Sequence, residues 1–324
     1  RRVWSDKAKS YLIDTILRSL PMPPVFIRQQ VDPKTRKTFR EVIDGQQRLG
    51  AILDFLKDGF KISKIHNEEY SNLFFSELPS GVQKDFLEYE ISTNLVLSSK
   101  DEEVLGIFAR LNTYTVTLNK QELWNAKYFG LFKQTTHSLA YEFYTFWRNS
   151  NILTESKIAR MGDVELTSEL IIASIDGIQD KSSVENYYKK YDDEFPDRDK
   201  IVQRFKKCTD SIGEIYAEVL PSSYFSGIPF FYTLYCVIYD LLFGLKNSGC
   251  EEKMSIGPSY YPKIRVAMQN LETILEEVTR KSDIYSDVKQ FIDDCTRHTT
   301  VLNVRKRRHG FLLKFILGYL KEKK

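Results

Sequence analysis

The β-prone runs of this 324-residue sequence are confined to its first hundred residues, and this uneven distribution most constrains the fold. Val25 to Val31, Phe39 to Ile43 and Tyr89 to Leu97 are rich in β-branched and aromatic residues. From about residue 119 onward, nearly every segment has apolar residues at helical spacing. A chain above ~300 residues also favours two cores over one. We therefore predict an α+β protein with a mixed domain at residues 1–118 and an α-helical domain at residues 119–324.

The amino-acid composition excludes several classes of protein. The 47 Lys and Arg residues nearly balance the 44 Asp and Glu residues, which argues against a uniformly basic DNA-coating surface. Four scattered cysteines and four histidines have no metal-binding spacing, so we expect no zinc and no redox cofactor. No apolar stretch suits a bilayer span and no signal peptide is evident. We therefore expect a cytoplasmic protein without a membrane partner.

The first fifty residues predict a helix, a hairpin and a second helix. Ser5 is a suitable cap for a helix that Pro21 would stop. A turn at Asp32 joins the first two strands, and the second strand ends at Asp44 and Gly45. The apolar positions that follow have helical spacing. The predicted unit is a strand, a glycine turn and a helix.

That junction, Asp44-Gly45-Gln46-Gln47-Arg48, has the features of an anion site. The N–H groups of a first helical turn have no intrahelical acceptor, the helix dipole is positive there, and Gly45 lets a phosphate approach closely. Asp44 would hold Mg²⁺, Gln46 or Gln47 would orient a water, and Arg48 would neutralise phosphoryl oxygens. The structural alternative is an ordinary Asp-Gly turn with Asp44 as helix cap and Arg48 in solvent. Neither a Walker A sequence nor G-x-G-x-x-G occurs.

Three segments carry a family resemblance: Leu12 to Leu17, Pro21 to Phe26, and Val42 to Leu49 with its D-G-Q-Q-R motif. They resemble the N-terminal domain of GmrSD-type restriction endonucleases, which is similar to the ParB/sulfiredoxin superfamily. Phe108 to Glu122 resembles a second block of the family, in which Arg110 and Asn112 precede a helix. The resemblance covers roughly residues 1 to 125. It implies a small ParB/sulfiredoxin-like domain in front of the helices.

The resemblance also implies a function. The chain would be a bacterial anti-phage protein that binds and hydrolyses nucleoside triphosphates with Mg²⁺ and regulates cleavage of modified phage DNA by an HNH-type nuclease. Asp44, Gln46, Gln47 and Arg48 would be catalytic, with Asp44 on the metal. The nucleotide would also contact four further residues: Gly45, Arg110, Asn112 and Trp4. Sulfiredoxin chemistry needs a cysteine in the motif, and none is present.

The sequence has no HNH pattern. The nuclease is then a separate subunit, or the sequence is truncated, or this member has only the regulatory function. An oligomer is compatible with each of these alternatives.

Other residues have two interpretations each. Trp4 would stack on a nucleotide or anchor the core, and Glu122 pairs more naturally with Asn119 in a capping box than with a metal. Three basic residues, Arg305, Lys306 and Arg307, would bind DNA phosphates or simply be solvated. We also predict a partly buried pair between Asp240 and Arg308.

The leading hypothesis is an NTP hydrolase. The alternatives are a non-catalytic sensor module for nucleotide or DNA, and a metal-dependent DNA nickase that acts through Asp44.

Overall fold

The computed structural model describes residues 4–32, 34–96, 119–248, 256–280 and 286–321. The chain forms two compact units, residues 1–118 with 127–130, and residues 119–126 with 131–324. A three-stranded sheet lies in the first unit, and the described part of the second is built from helices. The predicted α+β class is therefore confirmed.

The first unit follows the predicted order of elements. Ser5 caps the first helix by accepting a hydrogen bond from the N–H of Ala8 at 3.3 Å. The described elements are α1 (Asp6–Leu17), β1 (Val25–Val31), β2 (Thr38–Asp44), α2 (Gln46–Leu56), α3 (Ser80–Leu87) and β3 (Thr93–Val96). Buried side chains of α1, α2 and β1, including Ile13, Val25 and Phe55, form the core of this unit.

The third strand is shorter than the prediction of Tyr89 to Leu97. Tyr89 packs against the core of the first unit, and its hydroxyl donates to the carbonyl oxygen of Leu20 at 2.7 Å. The assigned strand therefore begins at Thr93, after Ser92, whose carbonyl oxygen accepts a hydrogen bond from the N–H of Val25 at 2.9 Å. The predicted helix from Ser99 to Leu111 and the loop after it lie outside the described residues.

The sheet has β1 at its centre, in the order β2-β1-β3. β1 and β2 are antiparallel, with Phe26 opposite Asp44 and Arg28 opposite Glu41. β1 and β3 are parallel, with Phe26 beside Asn94. Side chains alternate along a strand, so Phe26 and Arg28 point away from the face on which Val25 joins the core.

The second unit surrounds one buried apolar helix, Ile228–Phe243. Its described helices are α4 (Lys120–Lys127), α5 (Leu131–Glu142), α6 (Tyr144–Asn149), α7 (Glu155–Ile158), α8 (Gly162–Asp176), α9 (Val184–Lys190), α10 (Arg198–Tyr216), α11 (Ile228–Phe243), α12 (Tyr261–Arg280), α13 (Ser286–Thr296) and α14 (Leu302–Lys321). Helices thus occur in the part of the chain where the spacing of apolar residues predicts them. No helix in the described ranges has both the length and the apolar character needed to cross a bilayer.

The predicted pair between Asp240 and Arg308 is wrong. Arg308 is buried as expected, but it donates to the carbonyl oxygens of Asp294 at 3.1 Å and Thr299 at 2.9 Å. Asp240 instead lies 3.2 Å from Nε2 of His309. Main-chain carbonyls in the last turn of α13 and in the segment after it thus take the place of the expected carboxylate.

A second arginine of α14, Arg305, is also buried. Its guanidinium contacts the carboxylate of Glu169 on α8, donates to the carbonyl oxygen of Gln179 at 3.0 Å, and lies 4.2 Å from the ring centre of Tyr232. Nζ of Lys181 lies 3.3 Å from Glu169 as well. The side chains of Arg305 and Glu169 are only 5% and 6% exposed. α14 is therefore anchored to α8 by buried charge.

Replacing Arg305 by Ala should lower the free energy of unfolding by about 3 kcal/mol or more, because Glu169 would keep a buried charge with a single remaining cation. The matched control is Arg148→Ala, whose ion pair with Glu155 is exposed. That variant should cost well under about 1 kcal/mol. Urea denaturation of both variants would measure the difference, and equal losses would contradict the anchoring role of the buried pair.

His137 of α5 is a buried titratable group. Burial, together with the smaller effect of the positive charge of Lys133 one turn away, lowers its pKa from 6.5 to about 4. Its Nε2 atom has no hydrogen-bond partner among the described residues. The folded protein therefore holds this imidazole in its neutral form.

Stability should consequently fall as the pH decreases from about 6.5 to about 4. The unfolded chain binds the proton near pH 6.5 whereas the folded chain resists it, so this contribution is complete above pH 6.5 and is lost toward pH 4, by on the order of 1–3 kcal/mol. Thermal unfolding measured across this pH range should show a smaller loss of stability for His137→Leu than for the wild type. The exposed His298, replaced by Asn, should leave the slope unchanged, and a slope that His137→Leu does not alter would refute the assignment.

Candidate functional site

The D-G-Q-Q-R residues lie where β2 ends and α2 begins, at a backbone position that requires glycine. Gly45 has φ +96° and ψ 6°, in the left-handed region. A Cβ on Gly45 would also lie 2.9 Å from Cγ2 of Val25, which is fully buried in β1. Both the backbone angle and the close approach therefore exclude a side chain here.

Arg48 connects three chain segments at this junction. Its Nη2 donates to Oδ2 of Asp44 at 2.8 Å, one helical turn earlier. Its Nη1 donates to the carbonyl oxygen of Pro23 and lies 3.4 Å from that of Pro24. The side chain of Arg48 is 14% exposed, and that of Asp44 is 49% exposed. Arg48 is thus fixed in place, while Asp44 keeps half of its surface open.

The two glutamines have different roles in the structure. The exposed Gln46 donates from Nε2 to the carbonyl oxygen of Val42 at 3.0 Å. Oε1 of Gln47 accepts a hydrogen bond from the N–H of Trp4 at 3.3 Å. Trp4 itself is partly buried and packs against the apolar core of the first unit. Gln47 therefore holds the segment before α1, and Gln46 is the more exposed of the two glutamines.

The first intrahelical hydrogen bond of α2 runs from the N–H of Leu49 to the carbonyl oxygen of Gly45, at 2.9 Å. The N–H groups of Gln46, Gln47 and Arg48 precede it, in the turn where a helix offers no acceptor of its own. Gly45 caps the helix without a side chain. Helix starts of this kind bind anions in many proteins.

Arg28 is a neighbour that sequence reasoning missed. It lies on the sheet face to which Phe26 points, where the register also brings Asp44 and Asn94. Its side chain is only 4% exposed, and Nη1 lies 3.7 Å from Oε2 of Glu41. Strand alternation alone could place Arg28 on a polar face, but only the register identifies its neighbours.

The second block is described only from Asn119 onward, so Arg110 and Asn112 lie outside the described residues. The predicted capping box is present: the N–H of Asn119 donates to Oε2 of Glu122 at 2.7 Å, and the N–H of Glu122 donates to Oδ1 of Asn119 at 2.8 Å. Arg160 also binds Glu122, with Nε 2.6 Å from Oε1. The hydrogen bonds that Arg160 and, to a smaller extent, the N–H of Asn119 donate to the carboxylate lower the pKa of Glu122. Glu122 is therefore engaged at the start of α4.

The basic cluster of α14 is largely occupied within the protein. The burial of Arg305 against Glu169 contradicts its predicted contact with DNA. Arg307 donates to both carboxylate oxygens of Asp294, at 2.7 and 3.0 Å. Lys306 is exposed.

The residues of this junction suit a metal ion only if that ion is Mg²⁺ and a phosphate supplies further ligands. Among the described residues, no group of three or more His, Cys, Asp or Glu side chains could hold a metal ion. Mg²⁺ is commonly bound through one or two carboxylates together with substrate phosphates. The half-exposed carboxylate of Asp44 meets that requirement.

Gly45→Ala should lower the free energy of unfolding by about 1–3 kcal/mol, because the new side chain would be strained at positive φ and would collide with Val25. Gly50 of the same helix is the matched control, since a Cβ there meets nothing within 4 Å. Gly50→Ala should stabilise the protein by about 0.5–1 kcal/mol. Urea denaturation would compare them, and similar effects for the two substitutions would contradict the tight fit at residue 45.

Comparison with known proteins bears on the first unit. No curated protein and no solved structure matches the chain. The family model for the GmrSD restriction endonuclease N-terminal domain matches residues 1–129, which include the D-G-Q-Q-R junction and end next to the last residues of the first unit. The N-terminal part of this chain is therefore a GmrSD restriction endonuclease N-terminal domain, a domain of restriction and anti-phage systems.

Proposed function

We propose that this chain binds nucleoside triphosphates with Mg²⁺ at the Asp44–Arg48 junction, hydrolyses them, and thereby regulates cleavage of modified phage DNA by an HNH-type nuclease partner. The observation that carries the proposal is the start of α2, where the first intrahelical hydrogen bond is the one from Leu49 to Gly45 and Arg48 is held against Asp44.

Phosphate binding is supported by the position of Arg48. A cation in the first turn of a helix opposes the helix dipole by about 0.3–1 kcal/mol. A phosphate at the same helix start would reverse that cost, since it interacts favourably with the N–H groups, the dipole and the guanidinium together. The contacts of Arg48 with Asp44 and Pro23 keep the guanidinium in place before any ligand arrives. Arg48 would therefore stabilise charge on the phosphoryl oxygens without reorganising.

Asp44 would hold the metal. Arg48 occupies its Oδ2, and half of its surface remains open to solvent. When bound, Mg²⁺ would neutralise charge that develops on the phosphoryl oxygens.

Gln46 is the residue suited to orient the attacking water, because its side chain is exposed at the helix start. The water oxygen would form a bond to the γ-phosphorus while the bond from that phosphorus to the bridging oxygen breaks, giving a nucleoside diphosphate and phosphate. Gln47 would act indirectly, by holding Trp4 and the segment before α1. Arg110 and Asn112 remain predicted phosphate contacts.

The proposal predicts Mg²⁺-dependent phosphate release from ATP, GTP or CTP. Asp44→Asn and Arg48→Lys should each reduce turnover by about 100-fold or more, because each removes an interaction with the transferring phosphoryl group. Lysine also lacks the planar fork that reaches Asp44 and Pro23 together. A phosphate-release assay with and without DNA would measure these effects.

Two matched controls separate the site from general charge effects. Arg18→Lys alters an ion pair of the same i,i+4 spacing with Asp14, and Asp85→Asn removes an exposed carboxylate in α3. Both should keep wild-type turnover. Full turnover in Asp44→Asn and Arg48→Lys would refute the site. Tight nucleotide binding by the wild type without phosphate release would instead favour the non-catalytic sensor.

A further inference from the structure

The tip of the β1–β2 hairpin has an excess of positive charge. Residues 32–40 contain four basic residues and one acidic residue. The resulting excess of three equals the formal net charge of all 324 residues, so the remainder of the chain is balanced.

The turn directs its single acidic residue inward. The carboxylate of Asp32 accepts hydrogen bonds from the N–H of Lys34 at 2.8 Å and from the hydroxyl of Thr35 at 2.7 Å. The N–H of Asp32 also donates to the carbonyl oxygen of Lys37 at 2.9 Å, and Arg36 completes the reversal at φ +56°. Asp32 thus organises the tip rather than pairing with a neighbouring cation through its carboxylate.

The basic side chains are in solvent. Four of them are exposed: Lys34, Arg36, Lys37 and Arg40. Two apolar side chains on the same part of the hairpin, Val31 and Phe39, are 61% and 51% exposed. The distal hairpin therefore lies outside the apolar core of the first unit.

This distal part is a two-stranded ribbon. β3 pairs with β1 only from Val25 to Arg28, so within the described residues Gln29 to Val31 pair with β2 alone. The major groove of B-DNA is ~12 Å wide and admits a two-stranded β-ribbon. The two-stranded shape and the positive charge of the distal hairpin thus both suit duplex DNA.

We propose that this hairpin binds duplex DNA, with its ribbon in the major groove and its basic side chains on the flanking phosphates. The inference goes beyond the nucleotide site and does not depend on it. Duplex is favoured over single-stranded nucleic acid because Phe39 is the one aromatic residue in residues 32–40, whereas single-strand binding relies on a series of stacking side chains. The cluster on α14 is a weaker candidate, since Arg305 is buried and Arg307 is paired.

The test compares two triple variants that remove the same charge. The first is Lys34→Ala, Arg36→Ala and Lys37→Ala, which retains Asp32 and Thr35 and hence the turn. The second is Lys57→Ala, Lys64→Ala and Lys84→Ala, three exposed lysines of the same unit outside the hairpin. Binding to a short fluorescent duplex would be measured from about 50 to about 200 mM salt. Thermal unfolding would verify that both variants remain folded.

The hairpin variant should weaken binding by on the order of 100-fold at 0.1 M salt and reduce the slope of log K against log[salt] by about 2–3. The second variant should stay within about threefold of the wild type. Equal losses in both variants would overturn the proposal. So would no duplex binding by the wild type, tighter binding to a single strand of the same length, or a loss only in Lys306→Gln.

The same samples distinguish this proposal from the proposed function. Phosphate release without DNA should be unchanged in the hairpin variant, and duplex binding should persist in Arg48→Lys. A protein that binds the duplex through the hairpin but releases no phosphate would support the hairpin proposal and refute hydrolysis.

Discussion

The candidate site depends on the close approach of Gly45 to Val25. Any side chain at residue 45 would displace the turn from the central strand, and the start of α2 would move with it. Arg48 then secures the geometry from the other side through Asp44 and the carbonyl oxygen of Pro23. The segment Pro21 to Pro24 and the D-G-Q-Q-R motif are therefore parts of one structural unit, although some twenty residues separate them.

The second unit buries several charged side chains among its helices. Glu169 on α8 receives both Arg305 and Lys181, and main-chain carbonyls receive Arg308. Such pairs contribute little net stability compared with apolar packing, but removing one partner is costly. They make the position of α14 specific, because an apolar stripe alone would tolerate rotation or sliding of the helix.

Much of the fold could be predicted from short stretches of sequence. The first two strands, the Ser5 cap, the glycine turn and the Asn119–Glu122 capping box all follow from residues within a few positions of each other, and all occur. Contacts between residues that are far apart in the sequence could not be predicted in this way. The partner of Arg308 could not be read from charge pairing, because backbone carbonyls competed with Asp240. Arg305 was equally ambiguous, since helical spacing gave no indication that Glu169 would lie opposite it.

The local nature of the site has a consequence for how the protein folds. The contacts of Arg48 with Asp44 and Pro23, and the pairing of β1 with β2, join residues that are close in sequence, so forming them closes only short loops. The pairing of β1 with β3 closes a loop of almost seventy residues, which carries a larger entropic cost. We therefore expect the hairpin and α2 to form early and to serve as the template on which β3 docks. The geometry at Gly45 would then be established before the rest of the sheet is complete.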